Sequence, residues 1–239
     1  MRNRVARNRE SGRRAWTLGR GTPGTAIPDA ASPGSGFTLV ELLVVIVIIA
    51  ILASLVMVGL SATMSSSRAS STEAMLTAIA GACAQYAQRW GDFPPSTLRD
   101  MNVAVPNDRN NGVESLVACL SSELRGGVLY RPSGDDQYSN TDDDRLTKNP
   151  NKWYFGDPPL LREIVDYFGN PITYLHHRDF ARPRPEVLKY QVPEAKEPVE
   201  IRPETSPQTN TWVNAGRFQL RSLGADGKPA TGDDLRAGH

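Results

Sequence analysis

The stretch Gly36-Phe37-Thr38-Leu39-Val40-Glu41 leads directly into residues 42–60, where Ser54 is the one polar residue and none is charged. An α-helix rises about 1.5 Å per residue, so about 20 apolar residues span a hydrocarbon core of about 30 Å. An ionised carboxylate beside such a core is costly unless another group pairs with it. The sequence therefore predicts a membrane-spanning helix in which Glu41 requires a partner.

The charge of the chain is distributed unevenly about this apolar run. Seven arginines against Glu10 and Asp29 give residues 1–36 a charge of +5, and the net charge of +1 for all 239 residues leaves −4 on residues 37–239. Basic residues before an apolar span favour the cytoplasmic side, so we expect a cytoplasmic N-terminus and an external remainder. Apart from Trp16, the arginines lack interleaved aromatic residues, which argues against nucleic-acid binding.

An ordinary secretory signal peptide is the alternative interpretation of this segment. Such a signal has an apolar core of about 7–15 residues that ends at a small-residue cleavage site. The run here is longer, begins at a glutamate, and continues into Ser61-Ala62-Thr63-Met64 without that cleavage pattern. Instead, Gly36, Phe37 and Glu41 closely resemble the N-terminal signature of type IV pilins and of the pseudopilins of type II secretion.

The resemblance implies how the segment is processed and assembled. In that superfamily a prepilin peptidase cuts after the glycine, so residues 1–36 would be a basic leader that is removed, and Phe37 would become a methylated N-terminus. Residues 37–60 would form the transmembrane and assembly helix, in which Glu41 pairs with the N-terminus of a neighbouring subunit. Residues 61–239 would form a periplasmic head.

Periodicity extends the helix beyond the apolar run, to about residue 90. Five apolar residues, spaced 4, 4, 3 and 4 positions apart, share one helical face: Met75, Ile79, Cys83, Tyr86 and Trp90. Gly91, followed by Pro94 and Pro95, is expected to end the helix, because proline cannot continue the hydrogen-bond ladder. The result is one helix of roughly 50 residues, about 80 Å long at 1.5 Å per residue.

Short strands are predicted after this helix. Ile172–Leu175 alternates behind an Asn-Pro turn, Val187–Val192 alternates within a proline-rich segment, and Arg217–Leu223 is expected to be the last strand. The fold class is therefore α+β. We expect the lollipop form of pilins: a long N-terminal helix, with a membrane half and an amphipathic half, packed on a small antiparallel sheet.

Two segments are interpreted as inserted loops. Ser133–Lys148 holds five aspartates, and its Asp142-Asp143-Asp144 run is expected to be solvated because like charges repel. Ala181–Pro207 has six prolines and many charges, so we expect it to be extended or mobile and to contribute no core. The two cysteines, Cys83 and Cys119, allow either a disulfide or buried free thiols.

Three later segments are similar to the major, G-type pseudopilins of type II secretion. Residues 108–120 contain Gly112-Val113-Glu114-Ser115-Leu116, which resembles the G-φ-E-A-L element of that family and predicts a short amphipathic helix. Residues 165–175 contain Asp166-Tyr167-Phe168-Gly169-Asn170-Pro171, which resembles its D-x-W/F-G-N-P segment. Residues 222–235 resemble its S-x-G-x-D-G-x-x-G-T-x-D-D-I ending, a loop that binds calcium in that family.

This C-terminal loop is the candidate cation site. Calcium takes six to eight oxygen ligands at about 2.3–2.6 Å and mixes carboxylates with backbone carbonyls. The loop offers three side chains and three nearby carbonyls: those of Asp226, Asp233 and Asp234, and those of Leu223, Ala225 and Thr231. Spacing alone leaves a calcium site and a solvated acidic turn equally open, and the resemblance implies that calcium binds.

The sequence contains no motif that supports catalysis. It lacks a G-x-S-x-G elbow, a P-loop, an H-E-x-x-H pair and a dinucleotide fingerprint. His176 and His177, with Asp179, suggest zinc, but adjacent residues of a regular strand point to opposite faces and cannot bind one metal ion. The third histidine is His239. We expect a protein that is not an enzyme.

The resemblance therefore implies a structural subunit of the periplasmic pseudopilus of a type II secretion system. Its partners would be other copies of itself, the prepilin peptidase, other pseudopilins and the inner-membrane secretion platform. Polymerisation through the N-terminal helix would push exported proteins through the outer membrane. The alternative is a minor type IV pilin that serves adhesion, motility or DNA uptake.

Overall fold

A computed structural model describes residues 36–122, 128–146, 160–193 and 195–237, and within these ranges no side chain of residues 57–62. The expected leader up to residue 35, and His239, lie outside the described residues. The chain divides into a first unit that ends at Ala50 and a second unit that begins at Ile51 and contains the head, residues 61–239. Two helices and seven strands are described: α1 (Leu39–Trp90), α2 (Asn111–Leu120), β1 (Tyr138–Ser139), β2 (Glu163–Ile164), β3 (Thr173–His176), β4 (Lys189–Tyr190), β5 (Val199–Glu200), β6 (Phe218–Ser222) and β7 (Leu235–Arg236).

Helix α1 confirms the predicted long helix, with 52 residues. It ends before Gly91, whose φ of +81° is a left-handed conformation that glycine adopts readily. The predicted apolar face is buried at Met75, Ile79, Cys83 and Tyr86, as periodicity indicated. The prediction was wrong for Trp90, which is 45% exposed, because it lies in the last turn, where its ring contacts Tyr86 at the edge of the core.

The strands form small antiparallel sheets, which confirms the α+β class. β6 lies between β3 and β7, β1 pairs with β2, and β4 pairs with β5. In the central sheet Tyr174 is opposite Leu220, and Ser222 is opposite Leu235. β6 was expected to be the last strand, but β7 follows it, so the C-terminal acidic loop is the connection of a hairpin.

The proline-rich segment 181–207 contributes to the core, contrary to expectation. Val187, Tyr190 and Ile201 are fully buried, and Val192 is 5% exposed. A 3₁₀ turn at Pro185–Val187 and the β4–β5 pair direct these side chains inward. The prediction from composition failed because a few large apolar residues lie between the prolines and pack on the head.

A hairpin beyond β5 is fastened to the central sheet by one amide side chain. Gln219 on β6 donates to the carbonyls of Glu204 (2.9 Å) and Val213 (3.0 Å), and it accepts from the Glu204 N–H (2.7 Å). The Val213 N–H donates to the Glu204 carbonyl at 3.0 Å, which closes the base of the hairpin. Residues 207–211 at its tip are exposed.

Both cysteines are buried thiols that form no disulfide, so of the two predicted alternatives the structure has the buried thiols. Cys83 lies on the buried face of α1, and Cys119 lies on α2 with its sulfur 3.6 Å from that of Met101. Burial raises the pKa of the Cys83 thiol well above its usual value, so the uncharged form is favoured.

Helix α2 was expected to be amphipathic, yet all ten of its residues are buried. Gly112 in its first turn lets the helix approach the sheet closely: a Cβ there would lie 2.2 Å from Tyr190 Oη and 2.3 Å from the Tyr174 carbonyl oxygen. Tyr190 Oη in turn donates to that carbonyl and accepts from the Tyr174 N–H, both at 3.0 Å. The helix, β3 and β4 thus meet at one tightly packed point.

We predict that Gly112→Ala destabilises the head by at least about 2 kcal/mol, because overpacking a filled core costs about 1–3 kcal/mol and more where backbone must shift. Gly81→Ala is the matched control, since an added Cβ there has nothing within 4 Å and alanine favours a helix by about 1 kcal/mol. Denaturant unfolding of both variants in detergent measures the effect. Equal stability of the two variants would contradict the packing argument.

Candidate assembly and cation-binding sites

The first candidate site is the apolar part of α1. Leu39–Val56 is the one helical window in the described residues that is long and apolar enough to cross a membrane, and none of it is buried. Its large apolar side chains are exposed by between 42% at Val45 and 80% at Leu39. Ser54 Oγ donates to the Ile51 carbonyl at 2.7 Å, so this polar group is satisfied within the helix. Such a surface suits a bilayer or a bundle of similar helices.

Thr38 and Glu41 form a reciprocal capping box at the start of α1. The Thr38 N–H and hydroxyl each donate to Glu41 Oε2 at 2.8 Å, and the Glu41 N–H donates to Thr38 Oγ1 at 3.2 Å. These bonds satisfy N–H groups that the helix itself leaves without partners. Both bonds to the carboxylate use Oε2, which leaves Oε1 for a donor from outside the described part of the chain.

The sequence analysis missed this capping box, although its signal is present. A threonine followed three positions later by glutamate, just before an apolar run, is a recognised helix-start pattern. Thr38 and Glu41 fit that spacing. The carboxylate therefore has a local structural role in addition to any role between subunits.

The second candidate site is the C-terminal loop between β6 and β7. Asp233 Oδ2 accepts from the N–H groups of Ala225 (2.7 Å) and Asp226 (3.1 Å). Thr231 Oγ1 lies 2.6 Å from Asp233 Oδ1 and 3.4 Å from Asp226 Oδ1, so both carboxylates face the same hydroxyl. The hydroxyl and the amides lower the pKa of Asp233. Gly224 permits this closure, because a Cβ there would lie 2.4 Å from the Asp233 carbonyl oxygen.

Asp234 differs from the other two aspartates of the loop. Its Oδ2 accepts from the Ala230 N–H at 2.8 Å, while its Oδ1 is buried and has no hydrogen-bond partner among the described residues. Burial raises the pKa of Asp234. The donor set of the loop consists of oxygens and includes this unpaired one, so it fits a hard cation such as calcium.

The loop does not hold its three carboxylates as one compact ligand set. Two groups of three acidic or histidine side chains have ligand atoms within 4.8 Å of one another in the described parts of the chain, and neither includes Asp226, Asp233 or Asp234. Leu223, Ala225 and Thr231, the predicted carbonyl ligands, lie on the same loop, with Leu223 buried. A cation would therefore have to draw the loop together.

One of those two groups joins Asp92 with His176 and His177. The argument against a shared site was wrong, because β3 ends at His176 and the two rings lie with centroids 4.2 Å apart. However, His176 Nε2 bonds Asp92 Oδ1 at 3.1 Å, and Arg178 donates its N–H to His176 Nδ1 and pairs its guanidinium with Asp92. These groups satisfy one another without a metal ion. Asp179 lies outside the group and pairs with Arg184.

The other group consists of buried carboxylates that the sequence analysis missed. The run 142–144 was expected to be solvated, but this holds only for Asp143, whose side chain is 92% exposed. Asp144 is 6% exposed and Asp142 is half-buried, and they lie with Glu114 and Glu163 inside the head. The available signal was Glu114, the one charged residue of α2.

Comparison with known families supports the interpretation of the N-terminal segment as a prepilin-type signal. Residues 34–57 match the family model of the prokaryotic N-terminal methylation motif. No curated protein and no solved structure matches the chain. The motif supports the type IV pilin and pseudopilin superfamily, and it implies processing by a prepilin peptidase and pilin-like assembly. Together with the N-terminal apolar helix, it fits a pilin-like protein anchored in the inner membrane.

We predict that the mature chain begins at methylated Phe37 and that Gly36→Leu blocks cleavage. A Cβ added at Gly36 has nothing within 4 Å among the described residues, so we expect the substitution to act on recognition by the peptidase rather than on packing. Mass spectrometry of the N-terminal peptide gives the readout, and the full-length precursor should accumulate in the membrane fraction. A wild-type protein that starts at Met1 or after Ala62 would be inconsistent with a prepilin signal.

Proposed function

We propose that the chain is a structural subunit of the periplasmic pseudopilus of a type II secretion system. The observation that carries the proposal is the methylation motif on a helix that is apolar and exposed over its first 18 residues, with a carboxylate in its first turn. Many copies would pack these helices together, and addition of subunits at the inner membrane would lengthen the fibre and push exported proteins outward. The work is mechanical, and no enzymatic step is assigned to the chain.

The charge distribution supports a defined orientation. Residues 1–36 before the apolar run hold seven arginines, whereas residues 61–80 after it hold one basic residue, Arg68, so the N-terminus belongs on the cytoplasmic side and the head in the periplasm. The partners are then the prepilin peptidase and the secretion platform in the membrane, and other copies and other pseudopilins in the fibre.

The segments of the head that resemble G-type pseudopilins are our reason for proposing a secretion pseudopilin rather than a minor type IV pilin for adhesion, motility or DNA uptake. Two of the segments that resemble G-type pseudopilins contact each other in the structure. Asn170 Nδ2 donates to the Gly224 carbonyl at 2.8 Å, and the Ser222 hydroxyl donates to Asp166. The F-G-N-P turn thus supports the start of the C-terminal acidic loop, and the two motifs act as one structural unit.

Glu41 has a distinct role in this proposal. In a bundle of apolar helices, the positive N-terminus of one subunit is costly to bury without a partner, by several kcal/mol. Glu41 is already oriented by Thr38 through Oε2, and Oε1 remains to accept from the methylated Phe37 of a neighbour. This pairing would fix the axial register between subunits.

We predict that Glu41→Gln is inserted and processed normally but enters fibres poorly. Glutamine preserves a hydrogen-bond acceptor for the capping box while it removes the charge, so the variant separates the two roles. The readouts are fibre yield and the amount of exported protein in the medium. Glu73→Gln, an exposed position on the same helix, is the charge-matched control and should behave as wild type.

Wild-type fibre yield from Glu41→Gln would exclude charge pairing as the basis of register. Normal protein export with loss of motility or DNA uptake would instead identify a minor type IV pilin.

We further propose that the C-terminal loop binds calcium through Asp226, Asp233 and Asp234. The support is the all-oxygen donor set, the two carboxylates that face Thr231, and the unpaired Oδ1 of Asp234. Bound calcium would offset two of the three negative charges and tie the β6–β7 connection to itself.

We predict that calcium raises the melting temperature of the protein and that Asp226→Ala and Asp233→Ala each reduce that gain. A ligand that binds only the folded state adds about 2.7 kcal/mol at a hundredfold excess over Kd. Asp233 also accepts hydrogen bonds from loop N–H groups, so its loss can destabilise the protein without calcium. The melting temperature of each variant in calcium is therefore compared with that of the same variant in chelator. Asp143→Ala, outside this loop, should keep the full gain, and an unchanged gain in both loop variants would refute calcium binding at this loop.

A further inference from the structure

Four carboxylates from three separate segments meet inside the head. Glu114 lies in the first turn of α2, Asp142 and Asp144 follow β1, and Glu163 is on β2, where it is opposite Ser139. Glu114, Asp144 and Glu163 are 2%, 6% and 0% exposed. One carboxylate oxygen from each of Glu114, Asp142 and Glu163 lies within 4.8 Å of the others. We refer to these four residues as the carboxylate cluster.

The charged side chains that act most strongly on Glu114 and Glu163 are the other acidic residues of the cluster. Arg145, which follows Asp144 in the sequence, pairs with the exposed Asp143 at 3.9 Å. Burial raises the pKa of Glu114 and Glu163, and the neighbouring carboxylates raise both further. Burial and the adjacent aspartates raise the pKa of Asp144 to about 7. If all four carboxylates were ionised, they would concentrate negative charge where water does not screen it, so the raised pKa values reflect the lack of a counter-ion.

Several carboxylate oxygens of the cluster have no partner. Both oxygens of Glu114, Oδ1 of Asp142 and Oδ1 of Asp144 are buried and accept no hydrogen bond from any described residue. Asp166, by contrast, is a buried carboxylate that is satisfied, because it accepts from the N–H groups of Phe168 (2.8 Å) and Asn170 (2.9 Å). A buried acceptor without a donor costs about 1–3 kcal/mol, and more when it is charged.

Two asparagines and a backbone amide hold the remaining oxygens of the cluster in place. Asn107 Nδ2 lies 2.8 Å from Asp142 Oδ2 and 3.3 Å from Asp144 Oδ2. Asn110 Nδ2 donates to Glu163 Oε1 at 3.1 Å, and the Thr141 N–H donates to Glu163 Oε2 at 2.9 Å. One oxygen of each aspartate is thus fixed by a donor, while the other is left unpaired. Such positioning by neighbouring donors is typical of carboxylates that bind metal ions.

Protonation resolves only part of the cluster. A proton on Asp142 or Glu163 gives an O–H that can donate within the side-chain hydrogen bond between these two residues. It leaves both oxygens of Glu114 without a donor among the described residues. A divalent cation, in contrast, satisfies several oxygens at once and offsets their repulsion.

We propose that Glu114, Asp142, Asp144 and Glu163 bind a hard divalent cation, with calcium as the best fit. The donor set contains only oxygens, which favours calcium or magnesium over zinc, whose protein sites prefer nitrogen and sulfur. Four carboxylates approach the six to eight oxygens that calcium takes when some of them bind through both oxygens. The ion would join α2, the acidic segment after β1 and β2, and so stabilise the head away from the C-terminal loop.

The test measures calcium bound per chain and melting temperature for the processed protein in detergent. The parent protein carries Asp233→Ala, so that the C-terminal loop binds as little calcium as possible. The test protein is the double variant that carries Asp233→Ala and Glu114→Gln. Glutamine matches glutamate in shape, so packing is retained. We expect Glu114→Gln to remove one calcium equivalent per chain and the remaining calcium-dependent rise in melting temperature. In chelator the double variant should melt at or above its parent, because one crowded charge is gone, and a merely destabilising substitution would not do this.

Asp143→Asn in the same parent is the matched control, since it removes one charge from the same acidic run at a side chain that is 92% exposed. It should leave both the bound calcium and the rise in melting temperature unchanged. Retention of the full calcium equivalent by the Glu114→Gln variant would overturn the inference, as would a parent that binds neither calcium nor magnesium. Cleavage after Gly36 is independent of these results, so this inference and the proposed function can fail separately.

Discussion

The head depends on burial of one stripe of α1, the residues that recur on a single helical face between Met75 and Tyr86. Leu76, Ile79 and Cys83 have no exposed surface. The same cluster of buried residues includes side chains of α2, of the central sheet and of the proline-rich segment, so elements from distant parts of the sequence share this one surface. Because close packing tolerates little change in volume, the fold is sensitive where these elements meet, and Gly112 marks the tightest point.

Three carboxylates of the chain differ in their burial and in their hydrogen-bond partners. Glu41 is exposed on an apolar helix and is held by the capping threonine. Asp166 is buried and satisfied by the backbone of its own turn. Glu114 is buried with no donor among the described residues. The first arrangement leaves an oxygen for a neighbouring subunit, the second is structural, and the third favours an external cation. Burial and hydrogen bonding, rather than residue type, distinguish these roles.

The sequence predicted what local patterns determine and failed where distant contacts decide. The length of α1 and its buried face follow from periodicity, and its end before Gly91 follows from the conformational freedom of glycine. The length and the end were confirmed, and the buried face was confirmed except at Trp90. The segment 181–207 was misjudged because average composition hides a few large residues between turns. The carboxylate cluster could not be predicted, since Glu114 and Glu163 meet only after α2 packs near β2.

The hairpin fastened by Gln219 has a practical consequence for labelling. Its base is closed by the Glu204 and Val213 backbone, while Gln208 and Thr209 at the tip are exposed. The entropic cost of closing a loop grows only with the logarithm of its length. Residues added at the tip therefore reduce the stability of the protein little while the base of the hairpin is held. An epitope or a fluorophore carried there would report on the position of each subunit without disturbing the packed interior.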